Sequence, residues 1–152
     1  MKKVFALLAV SALLLTGCGE KEVSASSDNL PTVTTNQGEA PTIGAPAGNP
    51  PTTLEIKDII VGNGAEALPT STMTVHYTLM TWSNGQLIES SWNGGSPATF
   101  PLANVIVGWQ QGIPGMKVGG RRLLVIPPDL GYGAQGGGPI GPNETLIFVV
   151  DA

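Results

Sequence analysis

The chain has 152 residues, seven basic against eleven acidic, with one histidine and one cysteine. That length is about one domain. A lone histidine and a lone cysteine exclude the usual transition-metal sites and any internal disulfide, and a net charge of −4 disfavours phosphate backbones as partners.

The first segment opens with Lys2 and Lys3 and then runs apolar from Val4 to Leu15, with Ser11 as a mild interruption. It is too short for a membrane span, which needs about 20 residues. A basic start before a short apolar core is the secretory signal pattern. Residues 1–17 end in Leu15-Thr16-Gly17, followed by Cys18. This looks like a bacterial lipoprotein signal, in which the cysteine is diacylated through sulfur and becomes the new N-terminus. An ordinary cleaved signal with a chance cysteine is the competing reading. The expectation is an exported protein, lipid-anchored at Cys18 on the extracytoplasmic face of a membrane, in the periplasm or at the cell surface. Two acyl chains suffice for stable attachment. Loss of Lys2 and Lys3 leaves five basic against eleven acidic residues, a net of −6.

Residues 18–53 read as the lipidated cysteine and a disordered tether. Gly19 to Thr53 has few aliphatic side chains and many Ser, Thr, Asn, Gly and Pro, including Pro31, Pro41, Pro46, Pro50 and Pro51. So little apolar area does not offset the entropy of ordering a chain. As a flexible linker it has a reach of roughly 30–35 Å. A binding segment for a wall polymer is the alternative.

Residues 54–152 suffice for one modest core. Leu54 to Ile59 alternates as a strand does, and Gly62-Asn63-Gly64 ends it. Met73, Val75, Tyr77 and Leu79 share one face of the next strand; Thr72, Thr74, His76 and Thr78 share the other. The pattern points Tyr77 inward and leaves His76 as a half-exposed strand residue. Ser83-Asn84-Gly85 marks a hairpin turn, after which Gln86 to Ser91 resumes as a strand. Asn104 is a good N-cap for a short helix with Val105 and Trp109 at i, i+4, ended by Gly112 and Pro114. Arg121 to Ile126 and Thr145 to Val150 are the last strands, the former stopped by Pro127-Pro128. The fold class is α+β, an antiparallel sheet with one short helix packed across it.

Seven aromatics lie between Met73 and Phe148. Five of them, Tyr77, Phe100, Trp109, Tyr132 and Phe148, sit within otherwise apolar patterns. No nucleophile–base pair accompanies them: Ser90 and Ser91 lack the G-x-S-x-G setting. The stretch GAQGGGPIG at 133–141 lacks the G-K-[ST] ending of a phosphate loop. A concave apolar site with a few polar points is the reading.

Taken in order, VHYT at 75–78, Gly85 through Glu89-Ser90-Ser91, PATF at 97–100, VIVGW at 105–109, GIPGMKVG at 112–119, IPPDLGYG at 126–133 and NETLIF at 143–148 resemble the FKBP-type peptidyl-prolyl cis–trans isomerases. The resemblance covers essentially all of residues 54–152. It implies a twisted five- to six-stranded antiparallel sheet wrapped around the short helix, with the pocket between them. It further implies that Trp109 is the floor under the substrate proline, with Tyr77, Phe100, Val105, Phe148 and Ile140 as walls. The Ile106 N–H and the Tyr132 hydroxyl become donors to substrate carbonyls. Glu89 falls where the family usually has an aspartate joined to the tyrosine network.

Ile88 stands where a substrate-contacting phenylalanine is usual, Gly94 where some members carry an arginine, and Gly131 where alanine is common. The resemblance implies proline-containing polypeptide clients, macrolide inhibitors as ligands, no cofactor and a monomer. The alternative function is a membrane-anchored, proline-binding chaperone module with little turnover.

Overall fold

The computed structural model describes residues 29–152. Residues 1–17, Cys18 and the first part of the expected tether lie outside them. Six strands and one short α-helix follow in the order β1 (Glu55–Ile60), β2 (Thr72–Thr81), β3 (Leu87–Ser90), β4 (Ala98–Pro101), α1 (Val107–Gly112), β5 (Arg121–Ile126) and β6 (Leu146–Asp151). All pairings are antiparallel, in the order β1-β5-β6-β2-β3, with β4 also on β2. The α+β class and the strand count agree with the sequence reading. The sheet stays open.

β2 organises the sheet because its alternation serves three partners. Thr72–Val75 pairs with β4, His76–Thr81 with β6, and Thr78–Met80 with β3. Met73, Val75 and Leu79 are buried in the inner cluster, with Tyr77 packed against it. β4 is an element the sequence reading did not contain. Its four residues follow Pro97 and end in Pro101, and give too short an alternation to stand out.

The helix differs at its start. Asn104 closes a 3₁₀ turn (Leu102–Asn104), and Ile106 is the true N-cap, extended at φ −59°, ψ 154°, with no side-chain cap. Asn104 therefore does not cap it: Val105 and Ile106 run extended in between, and the Gln110 side chain donates to the Val105 carbonyl at 2.7 Å to hold that stretch. A helix of six residues is unstable alone, so packing has to hold it. Gly108 and Gly112 permit the approach: a Cβ at Gly108 would lie 2.5 Å from Ile126 Cγ2, and one at Gly112 2.7 Å from Leu124 Cδ2. The helix backbone thus rests directly on β5.

The sheet is buried on both faces. The inner face carries Leu124, Ile126, Leu146, Phe148 and Val150 with Trp109 and Ile113 of the helix region. The outer face carries Met80, Trp82, Leu123, Val125, Ile147 and Val149, and what covers them is Ile43, with Leu30 and Val33 beside it. This corrects the expected tether. From Asn29 onward the segment is part of the domain: Val33 and Ile43 form a β-bridge, and the Trp82 indole N–H donates to the Gly48 carbonyl at 3.1 Å. Buried Arg121 fastens it further, donating to the carbonyls of Thr34 (2.8 Å) and Glu39 (2.6 Å) while its Nε meets Asp151 at 2.6 Å. Few aliphatic residues are needed, because the sheet supplies the apolar partner that an isolated tether lacks.

Candidate active site

Between α1 and the inner face of the sheet lies a depression of about 390 Å³, lined by Tyr77, Leu79, Glu89, Phe100, Asn104, Val105, Ile106, Trp109, Tyr132 and Phe148. Trp109 is its centre and is only 4% exposed. Three rings meet it edge-on: Phe148 at 5.3 Å, Phe100 at 5.5 Å and Tyr77 at 6.0 Å between centroids, with interplanar angles of 79–85°. Tyr77 also meets Phe100 edge-on at 5.8 Å. Edge-to-face packing joins the positive rim of one ring to the negative face of another, which fixes orientation as well as filling space.

Each ring has a structural reason for its place. Tyr77 is an inward position of β2, and its backbone N–H is anchored by the Ser91 hydroxyl at 2.8 Å. Phe100 faces in from β4 and Phe148 from β6. Trp109 is carried by the helix that the two glycines let down onto β5. The Ile106 carbonyl accepts from the N–H groups of Trp109 and Gln110, at 3.0 and 3.1 Å, while its own N–H has no partner among the described residues. The Trp109 indole nitrogen is likewise buried without a partner among them.

The Tyr77 phenol is pushed up from 10.0 to about 12. Burial is the largest cause; the Glu89 carboxylate, as hydrogen-bond acceptor and as a negative charge, adds to it. The site therefore holds Tyr77 as a neutral hydroxyl. It presents aromatic surface, one carboxylate and neutral donors, with no nucleophile beside a base.

Eight of the residues singled out from sequence converge here: Tyr77, Glu89, Phe100, Val105, Ile106, Trp109, Tyr132 and Phe148. Ile88 and Ile140 do not line the depression. Ile88 packs at the margin of the inner cluster and Ile140 is a buried member of it, 5% exposed. Glu89 pairs with inward-facing Leu79 and lines the depression, whereas Ile88 falls at the register shift between the Leu79–Glu89 and Met80–Leu87 pairs and packs only at the cluster's margin. Leu79 and Asn104 were missed as lining residues. Leu79 was legible as the next inward position after Tyr77; Asn104 was read as a cap.

Known proteins place the chain in a family. The FKBP-type peptidyl-prolyl cis-trans isomerase family matches residues 64–152. The chain belongs to that family. It is 50% identical over 113 residues to a probable FK506-binding protein of Corynebacterium glutamicum, covering 74% of this chain and 96% of that one. It is 50% identical over 117 residues to an FK506-binding protein of Streptomyces anulatus, covering 74% and 94%. Among solved structures it is similar to FkpA from Escherichia coli, at 37% identity and a TM-score of 0.61, over 64% of this chain and 46% of that one. AtFKBP13 matches at 38% identity and a TM-score of 0.59, over 64% and 89%.

Proposed function

We propose that the depression over Trp109 accelerates rotation about X–Pro bonds by taking the bond out of water and binding its twisted form. Peptide resonance sets the barrier of ~18–20 kcal/mol, and the planar, resonant amide is more polar than the twisted one. An aromatic, poorly hydrated site thus favours the twisted form relative to the planar form. Trp109, Phe100 and Phe148 are the surface for the proline ring, with Tyr77 and Val105 beside them. The unpaired Ile106 N–H and the Tyr132 hydroxyl are the donors to substrate carbonyls, so no proton has to move. The observation that carries this reading is the edge-on clamp on Trp109 by three rings, which leaves its indole fixed at the base of the depression.

Uncatalysed X–Pro isomerisation takes tens to hundreds of seconds and limits folding. The basic start, apolar run and Cys18 support exported clients and a lipid-anchored enzyme. The similarity to FK506-binding proteins supports the same depression as a macrolide site. A protease-coupled assay on a short X–Pro peptide tests the central claim. Tyr132→Phe is expected to lower turnover with the fold intact; a rate no higher than the uncatalysed one in the folded wild-type protein would remove the enzyme reading. Palmitate labelling of the full chain against Cys18→Ala tests the anchor separately.

One observation favours the second reading, a proline-binding chaperone with little turnover. The wall position next to Glu89 is aliphatic, and Ile88 does not reach the depression, so the substrate ring is held by fewer groups on that side.

A further inference from the structure

A second depression, of about 250 Å³, lies on the outer side of the sheet where residues 37–38 meet the ends of β2 and β6. Its chemistry comes from His76, Trp92 and Asp151, with Thr74 at the margin and Gly119 and Gly120 leaving room. His76 and Asp151 are register partners on neighbouring strands, and Asp151 is in turn the partner of Arg121. The three side chains form a row across β2, β6 and β5 on the face away from Trp109. His76 is fixed in place: its ring stacks on Trp92 at 3.9 Å and 14°, and its Nδ1 is 2.9 Å from the Ser91 hydroxyl.

Two polar atoms of this lining are buried without a hydrogen-bond partner among the described residues: Asp151 Oδ2 and Trp92 Nε1. Asp151 is the telling one. Arg121 engages only Oδ1; the rest of its guanidinium is committed to the Thr34 and Glu39 carbonyls and the Asn36 side chain. Burial raises the Asp151 carboxyl above its usual range although Arg121 first and the neighbouring His76 second oppose the shift, so desolvation there exceeds what these two groups return. A carboxylate oxygen left unpaired in a partly desolvated site is a strong acceptor for a charged N–H donor. An aromatic pair beside it suits the flat, weakly hydrated face of a guanidinium or the carbon stem of an amine.

We propose that this depression binds a compact organic cation, a guanidinium or primary ammonium group, with Asp151 Oδ2 as its acceptor and the Trp92–His76 stack as its wall. The group can belong to a free small molecule or to a basic side chain of a polypeptide. The site lies on the opposite face from the depression over Trp109, so it stands or falls independently of the isomerase reading.

The test is an NMR titration of the whole chain, following the Trp92 indole N–H and the His76 ring protons. The probes are N-acetyl-arginine methylamide, butylammonium, and the neutral N-acetyl-norleucine methylamide. Saturable shifts with the two cations, at least tenfold weaker with the neutral analogue and lost in Asp151→Asn, are the expected result. Because Asp151 also holds Arg121, Trp92→Leu is the second variant; it leaves that pair intact and is expected to weaken binding at least fivefold. A proline-free peptide with one arginine separates the sources: tighter binding than the capped amino acid identifies a polypeptide, equal binding a free cation. Absence of saturable shifts, equal response to the neutral analogue, or unchanged affinity in both variants would overturn the site.

Discussion

Arg121 and Arg122 are neighbours in β5 and leave the sheet through opposite faces. Arg121 reaches outward to the carbonyls of Thr34 and Glu39; Arg122 reaches inward to the Gly112 carbonyl at 2.8 Å and pairs with Asp58 through Nε at 2.7 Å. One arginine holds the N-terminal segment and the other holds the end of the helix that carries Trp109. Adjacent strand residues alternate faces, so a dipeptide can fasten both layers to one strand. The helix that carries Trp109 and the outer cover are therefore tied to the same interior strand.

Removing one partner of a buried ion pair costs about 3–5 kcal/mol, because the other charge is left desolvated. Arg121 is fully buried and the Asp151 side chain is 15% exposed. Arg121→Ala is expected to lower unfolding free energy by about that amount in a urea titration. It is also expected to open residues 31–48 to limited proteolysis. A chain beginning at residue 54 is expected to show the same loss, with Trp82 emission shifted to the red as its cover departs. Unchanged protease resistance in Arg121→Ala would mean the segment is held by Ile43 and its apolar contacts alone.

The helix–sheet contact makes a second prediction. A methyl at Gly108 would meet three atoms of the Ile126 side chain within 2.8 Å, and Ile126 is fully buried. β-branched side chains are stiff, so the helix would have to move. Overpacking costs about 1–3 kcal/mol, against a gain of up to about 1 kcal/mol in helix propensity. Gly108→Ala is expected to be net destabilising by chemical denaturation and to lower kcat/KM, since Trp109 is the next residue. A more stable variant with full activity would show that the layers have slack.

How far this arrangement is legible in the sequence depends on which force sets each part. The inward set Met73, Val75, Tyr77 and Leu79 is visible because period-two alternation and burial agree, and it leads directly to the pocket. Trp109 and the short helix are legible from spacing, though the cap is misplaced, since what fixes Val105 and Ile106 is a Gln110 contact that no local pattern announces. The ordered segment 29–53 is not legible from its own composition. Its signal lies elsewhere, in Leu123–Ile126 and Leu146–Val150, continuous apolar runs that imply a sheet covered on both faces. The cover had to come from somewhere, and only tertiary packing shows that Ile43, with Leu30 and Val33, supplies it.

Tyr77 gives a pH prediction with a definite sign. Its phenol is raised from 10.0 to about 12, first by burial and then by Glu89. The folded state prefers the neutral form, so this contribution to stability is fully present below pH 10 and is lost as pH rises through 12. The difference absorbance titration at 295 nm between wild type and Tyr77→Phe is expected to be centred near 12. Glu89→Gln is expected to lower that midpoint without returning it to 10.0, because burial remains. A full return to the free-tyrosine value would make the carboxylate, and not burial, the dominant cause.

Ile88 and Phe100 allow the pocket wall to be tested by contrast. Phe100 lines the depression and packs edge-on against Trp109, whereas Ile88 packs at the margin of the core without lining it. Ile88→Val is expected to cost about 0.5–1.5 kcal/mol of stability and to leave KM for an X–Pro peptide within about twofold, roughly 0.4 kcal/mol on the scale where 1.4 kcal/mol is tenfold. Phe100→Leu is expected to reduce kcat/KM by about tenfold, the equivalent of about 1.4 kcal/mol in the barrier, because it removes aromatic surface from the bound ring and one of the three edges that orient Trp109. The two variants separate substrate contact from core packing, since both remove apolar volume and only one sits at the wall. A larger loss of kcat/KM in Ile88→Val than in Phe100→Leu would place the substrate against β3 and move the wall to Ile88.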